Sequence, residues 1–387
     1  MSSPRLDSEQ LQQLDRTRAV IADAIRTAGG AIPFDRFMEL ALYAPEAGYY
    51  VNGAHKFGAR GDFVTAPEIS PLFSRCLAAQ CAEVLAETGG NVLEFGAGAG
   101  VMAADVLAEL DRLGQLPERY QILELSAELR ARQRETLAQR SATLLQRVEW
   151  LERPPEPPWN GVVMANELLD AMPVSRFRRS ETGWQECYIG LDGERFCEHW
   201  QPASNRLQER LEALQARLDP FPVGYVSEVN LRLGPWFRVL AGFLQRGAVL
   251  LIDYGYSERG YYHPERDRGT LICHFRHRAH DDFLALPGLQ DITANVDFSA
   301  VAEAGVDAGL TLAGYNSQSQ FLIACGLDGL LAETDPGEVE QYLPRVQAAK
   351  QLILPSGMGE RFQAIAFVRG LNQPLRGFAL ADRRDSL

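Results

Sequence analysis

Lysine is almost missing from this chain: its 387 residues include 36 Arg but only two Lys, Lys56 and Lys350. The skew reads as a coding bias toward arginine and carries no function by itself. Positive charge as a whole is also short, because 38 basic against 51 acidic residues leave a formal charge of -13. An acidic chain repels nucleic acid and anionic membranes on average, which excludes both as general partners. A cationic ligand or a basic partner segment suits it better. The cysteines at 76, 81, 187, 197, 273 and 325 include no C-x-x-C pair, which points to reduced thiols and away from zinc. No apolar run reaches the ~18 residues of a membrane span, so no membrane insertion is expected. The N-terminal stretch lacks an apolar signal core and carries Asp7, Glu9 and Asp15, acids that a transit peptide avoids. Together these absences lead to the expectation of a cytoplasmic protein.

What is present is an ordinary globular composition, 46% hydrophobic and 23% charged, in a chain long enough to bury a large core without disulfides or metal. Helical spacing of Leu11, Leu14, Ile21 and Ile25 opens the chain. An aperiodic stretch rich in Gly and Pro follows over 44–71, and its polar residues Asp62, Thr65 and Glu68 mark it as a candidate substrate loop or lid. From residue 91 strands alternate with helices: NVLEF (91–95), YQILEL (120–125), VEWL (148–151), GVVMAN (161–166) and AVLLIDY (248–254). That alternation predicts parallel βαβ units in an α/β fold with a doubly wound sheet. TLAGY (311–315) and RFQAIAFVRG (361–370) are placed to close it, with a helical insert between them. Residues 175–246 break the rhythm, with antiparallel strands turning at Thr182-Gly183 and Asp192-Gly193. A stripe of Leu207, Leu211, Leu214 and Leu218 follows; docking on the protein's own core is favoured over a dimer seam, and a homodimer stays open. The organisation expected is therefore a helical segment with a lid loop (1–90), a first part of the core (91–174), an α+β insertion on the substrate side (175–246) and a second part of the core (247–387).

The chemistry concentrates in Glu94-Phe95-Gly96-Ala97-Gly98-Ala99-Gly100, at the end of one predicted strand and the start of a helix. Alternating glycines allow a tight turn and a close approach of backbone to ligand. Thirty positions beyond Glu94, Glu124 ends the second strand, where an acid can accept from both hydroxyls of a ribose at the switch point of the sheet. Gly98-x-Gly100-x-x-Ala103 also fits the loose dinucleotide fingerprint, so the glycines alone leave a nicotinamide dehydrogenase open. Two features favour S-adenosyl-L-methionine. An acid stands two residues before the first glycine, able to engage the amino-acid portion of that ligand. The fourth strand ends in NELLDAMPV (166–174), which sets Asn166, Glu167 and Asp170 at the strand tip where a methyl acceptor would enter.

With these segments in view, the sequence resembles the MidA-like family of class I S-adenosylmethionine-dependent methyltransferases, which includes a mitochondrial protein arginine methyltransferase required for complex I assembly. The resemblance is carried by FMELALYAPEAGYY (37–50), FGARGDFVTAPEIS (57–70), LEFGAGAG (93–100), NELLDAMPV (166–174), LLIDYGY (250–256), GTL (269–271), QDITANVDF (290–298) and MGERF (358–362), in order along nearly the whole chain. Asn295 departs from the pattern, standing where relatives often carry His. The resemblance implies a Rossmann-like seven-stranded sheet, S-adenosyl-L-methionine as cofactor, and protein arginine as acceptor, with a respiratory-complex subunit as one such partner.

On this reading Glu94, Gly96, Ala97, Gly98, Gly100, Glu124 and Asn166 hold the cofactor. Glu167 is the first choice for gripping a guanidinium and accepting its proton, with Asp170, Glu228 and Asp253 as further catalytic candidates. Thr65, Glu68, Asp62, Asp291 and Asp297 are placed at the substrate or its lid. The alternatives are a small-molecule methyltransferase on the same fold, or an assembly factor that binds the cofactor without turnover. His274, His277 and His280 hint at a metal, but their 3-3 spacing matches no zinc motif; no metal is expected, and a loop bordering the site is preferred.

Overall fold

The computed structural model describes residues 6–51 and 64–387. Its centre is a sheet of seven strands: β1 (Asn91–Phe95), β2 (Tyr120–Leu123), β3 (Val148–Leu151), β4 (Trp159–Asn166), β5 (Leu244–Tyr256), β6 (Thr311–Ser317) and β7 (Phe362–Arg369). Their spatial order is β6-β7-β5-β4-β1-β2-β3. All neighbours run parallel except β7, which is antiparallel to both β5 and β6. A two-residue strand, Val296–Asp297, adds itself in parallel to the end of β5. The doubly wound expectation holds, with this short eighth strand as the addition.

Period-two alternation shows why the sheet is buried on both faces. In β4, Val162 and Met164 join one core while Trp159, Val163 and Ala165 join the other. In β5, Ala248, Leu250 and Ile252 divide from Val249 and Leu251 in the same way. One face is covered by α4 (Pro71–Thr88), α5 (Val101–Arg112) and α6 (Ala127–Leu145), which follow α1 (Ser8–Thr27), α2 (Phe34–Tyr43) and the single turn α3 (Ala66–Ile69) in the chain. Helices Leu233–Phe243 and Phe298–Asp307 cover the other face.

Helix α4 escapes a periodicity reading because it is apolar nearly all round, with Leu72, Phe73, Cys76, Leu77, Cys81, Val84 and Leu85 all buried. Its ends are nonetheless written in the sequence. Ser70 caps it by accepting from the Leu72 N–H at 3.2 Å, Pro71 opens it, and Gly89 stops it at φ +62. In α1 the apolar stripe buries Leu14, Ile21 and Ile25, while Leu11 faces solvent.

A second sheet runs Ala31–Pro33, Gly183–Asp192, Ser175–Ser180, Val226–Val229, with Arg195–Pro202 on the outer side of Gly183–Asp192. Leu207, Leu211 and Leu214 dock against it in one cluster with Phe177, Trp184 and Phe221, so the leucine stripe serves the chain's own core. A third, three-stranded sheet (Arg278–His280, Ile272–Phe275, Asp291–Thr293) brings Ile272, His274, Asp291 and Thr293 to the cavity at the carboxyl ends of the central strands.

Candidate functional site

A cavity of about 900 Å³ opens at the carboxyl ends of β1, β2, β4 and β5. This is the switch point, where β2 and β4 flank β1 and the chain leaves in opposite directions. Its floor is the glycine loop after β1. Gly96 has φ +68 and Gly98 φ +52, backbone that side chains with a Cβ rarely adopt. A Cβ on Gly96 would stand 3.3 Å from Leu168 Cδ1. Gly96, Ala97 and Gly98 line the cavity, whereas Gly100 does not. The place of Gly100 is structural: at φ +83 it starts α5, and a Cβ there would come 3.0 Å from Gln133 Cα.

Glu94 is buried at 1% exposure and its carboxylate accepts from the Tyr120 hydroxyl at 2.5 Å. Burial pushes it up to about 7 against that hydrogen bond. Glu124, at the tip of β2, accepts from the Ser126 N–H at 2.8 Å and from Gln133 Nε2 at 3.3 Å; burial also raises it. Gln133 Nε2 in turn donates to the Gly98 carbonyl at 3.0 Å, which fastens the acid to the glycine loop. Beside Glu124, Leu125 is 66% exposed and lines the cavity with Val101 and Leu129. That set offers an acid for ribose hydroxyls, bare backbone for the amino-acid chain and an apolar surface for a purine. It fits S-adenosylmethionine.

The turn after β4 forms the opposite wall. Glu167 holds φ +52, an unusual conformation for a residue with a side chain. Asp253 explains how it persists: its Oδ2 accepts the backbone N–H groups of Leu168, Leu169 and Asp170 at 3.1, 2.8 and 3.2 Å. The Glu167 carboxylate accepts from Asn166 Nδ2 at 3.1 Å and from the Ala66 N–H of α3. Burial first, then the neighbouring Asp170, pushes Glu167 up to about 8. Asp170 accepts from the Tyr254 hydroxyl at 2.6 Å, leaves its Oδ1 buried without a partner among the described residues, and is pushed up to about 6 by burial. Asn166 Oδ1 is likewise buried and without a partner among the described residues. Both orphan atoms belong to residues that line the cavity, acceptors waiting for a donor.

Of the residues expected at the substrate, Thr65, Glu68 and Asp291 line the cavity. The Glu68 carboxylate accepts from the Thr65 N–H at 3.3 Å at the start of α3. Asp62 lies outside the described residues. Three expectations are revised by the geometry. Glu228 is fully buried away from the cavity, where its carboxylate accepts from the Thr270 N–H at 2.8 Å; a Cβ on Gly269 would strike it. Asp253 also stays outside the cavity lining and works as the acceptor of the β4 turn. Asp297 caps helix Phe298–Asp307, accepting from Ser299 and Ala300 at 3.1 and 3.2 Å. Strand-tip placement is shared by site residues and by the acids that hold their turns, so the sequence could not separate them.

The histidine run forms a hairpin, in which Ile272–Phe275 pairs with Arg278–His280 and His274 reaches the cavity. No group of three metal-ligating side chains occurs among the described residues. Residues that sequence reasoning missed include Tyr43, Tyr50 and Tyr254, all lining the cavity. Aromatics carry no spacing signature of their own, although all three fall within segments that carry the resemblance, FMELALYAPEAGYY (37–50) and LLIDYGY (250–256).

A seven-stranded sheet of this order, with its one reversed strand, a glycine loop after β1 and an acid ending β2, defines a class I S-adenosylmethionine-dependent methyltransferase. Residues 76–316 match the S-adenosyl-L-methionine-dependent methyltransferase family. The chain is 30% identical over 377 residues to the protein arginine methyltransferase NDUFAF7, mitochondrial, of Danio rerio, covering 87% of this chain and 83% of that one. It is 27% identical to the Homo sapiens protein of the same name, covering 88% and 80%. A Burkholderia thailandensis protein crystallised with S-adenosyl-homocysteine bound is 45% identical, with a TM-score of 0.95 over 100% of both chains. The chain belongs to the MidA-like family of S-adenosylmethionine-dependent methyltransferases, and S-adenosylmethionine is its cofactor. The cytoplasmic expectation is corrected by the Danio rerio and Homo sapiens relatives, which are named as mitochondrial proteins. Free cysteines fit any reducing compartment, so they never singled out the cytoplasm.

Proposed function

We propose that this methyltransferase transfers methyl groups to an arginine nitrogen of a protein acceptor. The observation that carries the reading is the convergence of Glu167 and Asp170 on one side of the cavity, both raised by burial, with the Asp170 Oδ1 and the neighbouring Asn166 Oδ1 buried and without a partner among the described residues. Further acids line the same space, Glu46, Glu68 and Asp291 among them, against Arg361 and His274 among the described residues. Such a cavity suits a cation. The relatives named as protein arginine methyltransferases support a protein acceptor.

When bound, S-adenosylmethionine supplies a methyl group already activated by its sulfonium. The task of the chain is to align a nitrogen and take away a proton. Guanidinium is a poor nucleophile because its charge is delocalised over three nitrogens. Glu167 and Asp170 are placed to grip it from one side and draw positive charge away from the reacting nitrogen. As the N–C bond forms and the C–S electron pair stays on sulfur, the nitrogen sheds one proton. Glu167 takes it. A cation in the cavity lowers this carboxyl from its raised value, so it arrives as carboxylate and leaves protonated. The resemblance further points to a respiratory-complex subunit as the acceptor and leaves room for a homodimer, which light scattering of the purified chain reads directly.

The test is methyl transfer from labelled S-adenosylmethionine into arginine-containing peptides and lysate protein, followed by mass spectrometry of the modified residue. Label in monomethyl- or dimethylarginine is the expected result. Label confined to the small-molecule fraction overturns the reading.

A further inference from the structure

Tyr43, at the end of α2, and Tyr50, in the turn Tyr49–Val51, stack with ring centroids 5.4 Å apart and planes 20° from parallel. Tyr49 packs edge-on against Tyr50 at 5.1 Å. This is not merely core packing, because Tyr43 and Tyr50 line the cavity beside Asp170 and Asp291. Each ring is also fixed through its hydroxyl. Tyr43 donates to the Ala171 carbonyl at 3.0 Å, which ties the stack to the turn that carries Glu167 and Asp170. The Tyr50 hydroxyl lies 2.9 and 3.0 Å from the two Asp291 oxygens.

The chain between the two tyrosines is held from outside by α1. Thr17 Oγ1 and Gln13 Nε2 donate to the Ala47 carbonyl at 2.7 and 2.6 Å, and Arg16 donates to the Glu46 carbonyl at 3.2 Å. Glu46 sits at φ +58, a strained conformation kept by these contacts. The stack is therefore fixed in place before any acceptor arrives.

We propose that the Tyr43–Tyr50 stack, with Asp291 behind it, is the wall that selects a planar guanidinium over an ammonium at the acceptor site. The inference rests on the arginine reading and names the residues that give it selectivity. A guanidinium is planar and weakly hydrated, so it gives up little on lying against an aromatic face. An ammonium is a compact, strongly hydrated charge and gains less there. Glu167 and Asp170 attract either cation; the ring faces distinguish them.

The experiment uses the full chain loaded with S-adenosylhomocysteine, titrated by calorimetry with ethylguanidinium and with butylammonium chloride. The wild type should prefer ethylguanidinium. Tyr50→Leu should weaken ethylguanidinium by about 3- to 30-fold, the span of a cation–π contact, with butylammonium and S-adenosylhomocysteine affinity unchanged. Tyr50→Phe keeps the ring and should retain most of the preference. In turnover, Tyr50→Leu should raise KM for an arginine peptide far more than it lowers kcat. A folded Tyr50→Leu that binds both cations as the wild type does would overturn the wall. So would a Tyr50→Phe as impaired as Tyr50→Leu, which would assign the effect to the hydroxyl. If guanidinium binding depends on the Tyr50 ring but label enters only small molecules, the wall stands and the protein-arginine reading fails.

Discussion

Glu167 concentrates the chemistry at the scale of single residues. It is raised to about 8 by burial and by Asp170, against the Asn166 amide and the Ala66 N–H that donate to it. Glu167→Gln keeps the shape and removes the proposed base. Turnover should fall by ~10²–10⁴, the range of a positioned acid–base group, while S-adenosylhomocysteine affinity is retained; methyl incorporation and calorimetry on one preparation check both. A wild-type rate would leave the carboxylate a purely structural role. Glu124 makes a different prediction. Glu124→Ala should weaken cofactor binding by about 1.5–3 kcal/mol, as expected for hydrogen bonds to a charged group. A bound structure with the ribose beyond hydrogen-bonding reach of Glu124 would refute that assignment.

Two turns decide where these residues point, and both are properties of elements. In the loop after β1, Gly98→Val would put a branched side chain at φ +52 beside the ligand space. Binding of S-adenosylhomocysteine should be lost, with the fold intact by circular dichroism. In the turn after β4, one Asp253 oxygen satisfies three backbone N–H groups at 3.2 Å or closer. Asp253→Ala removes all three acceptor contacts at a buried position and should cost about 3 kcal/mol or more in unfolding free energy. Turnover should drop with it, because Glu167 then loses the backbone geometry that aims it. An Asp253→Ala enzyme with full stability would show that the turn is held by other means.

At the scale of the whole molecule, the buried acids couple stability to pH. Burial raises Glu94 and Asp297 to about 7, Asp170 to about 6 and Glu167 to about 8. Groups raised in this way bind more protons folded than unfolded between their ordinary values and their raised ones. Stability therefore falls as pH rises from about 4 to about 8 and levels off above that. The melting temperature of the ligand-free chain should decline across this window, and Glu167→Gln should flatten its upper part. Turnover should move the other way, rising toward pH 8 as the carboxylates become available to a cation. A melting temperature that climbs through the same window would contradict the sign.

The sequence by itself determined the doubly wound sheet, the glycine loop, Glu124 and the strand tip bearing Asn166, Glu167 and Asp170. Those features are local: strand alternation, a strand–glycine–helix junction and acids at strand ends depend on neighbours a few positions apart. It did not determine the helix α4, whose apolar residues face several partners at once and so show no period. Nor did it sort the acids. Glu167 and Asp170 follow β4 and Asp253 lies near the carboxyl end of the adjacent β5, and only the tertiary structure brings the first two to the cavity and turns the third onto the backbone N–H groups of Leu168, Leu169 and Asp170. Glu228 and Asp297 were separated from the site in the same way, by the Thr270 N–H and by the start of a helix. Tyr50 meets Asp291 across 241 positions of chain. That contact joins the turn after α2 to the first residue of strand Asp291–Thr293 in the third sheet, and no pattern of nearby residues encodes it.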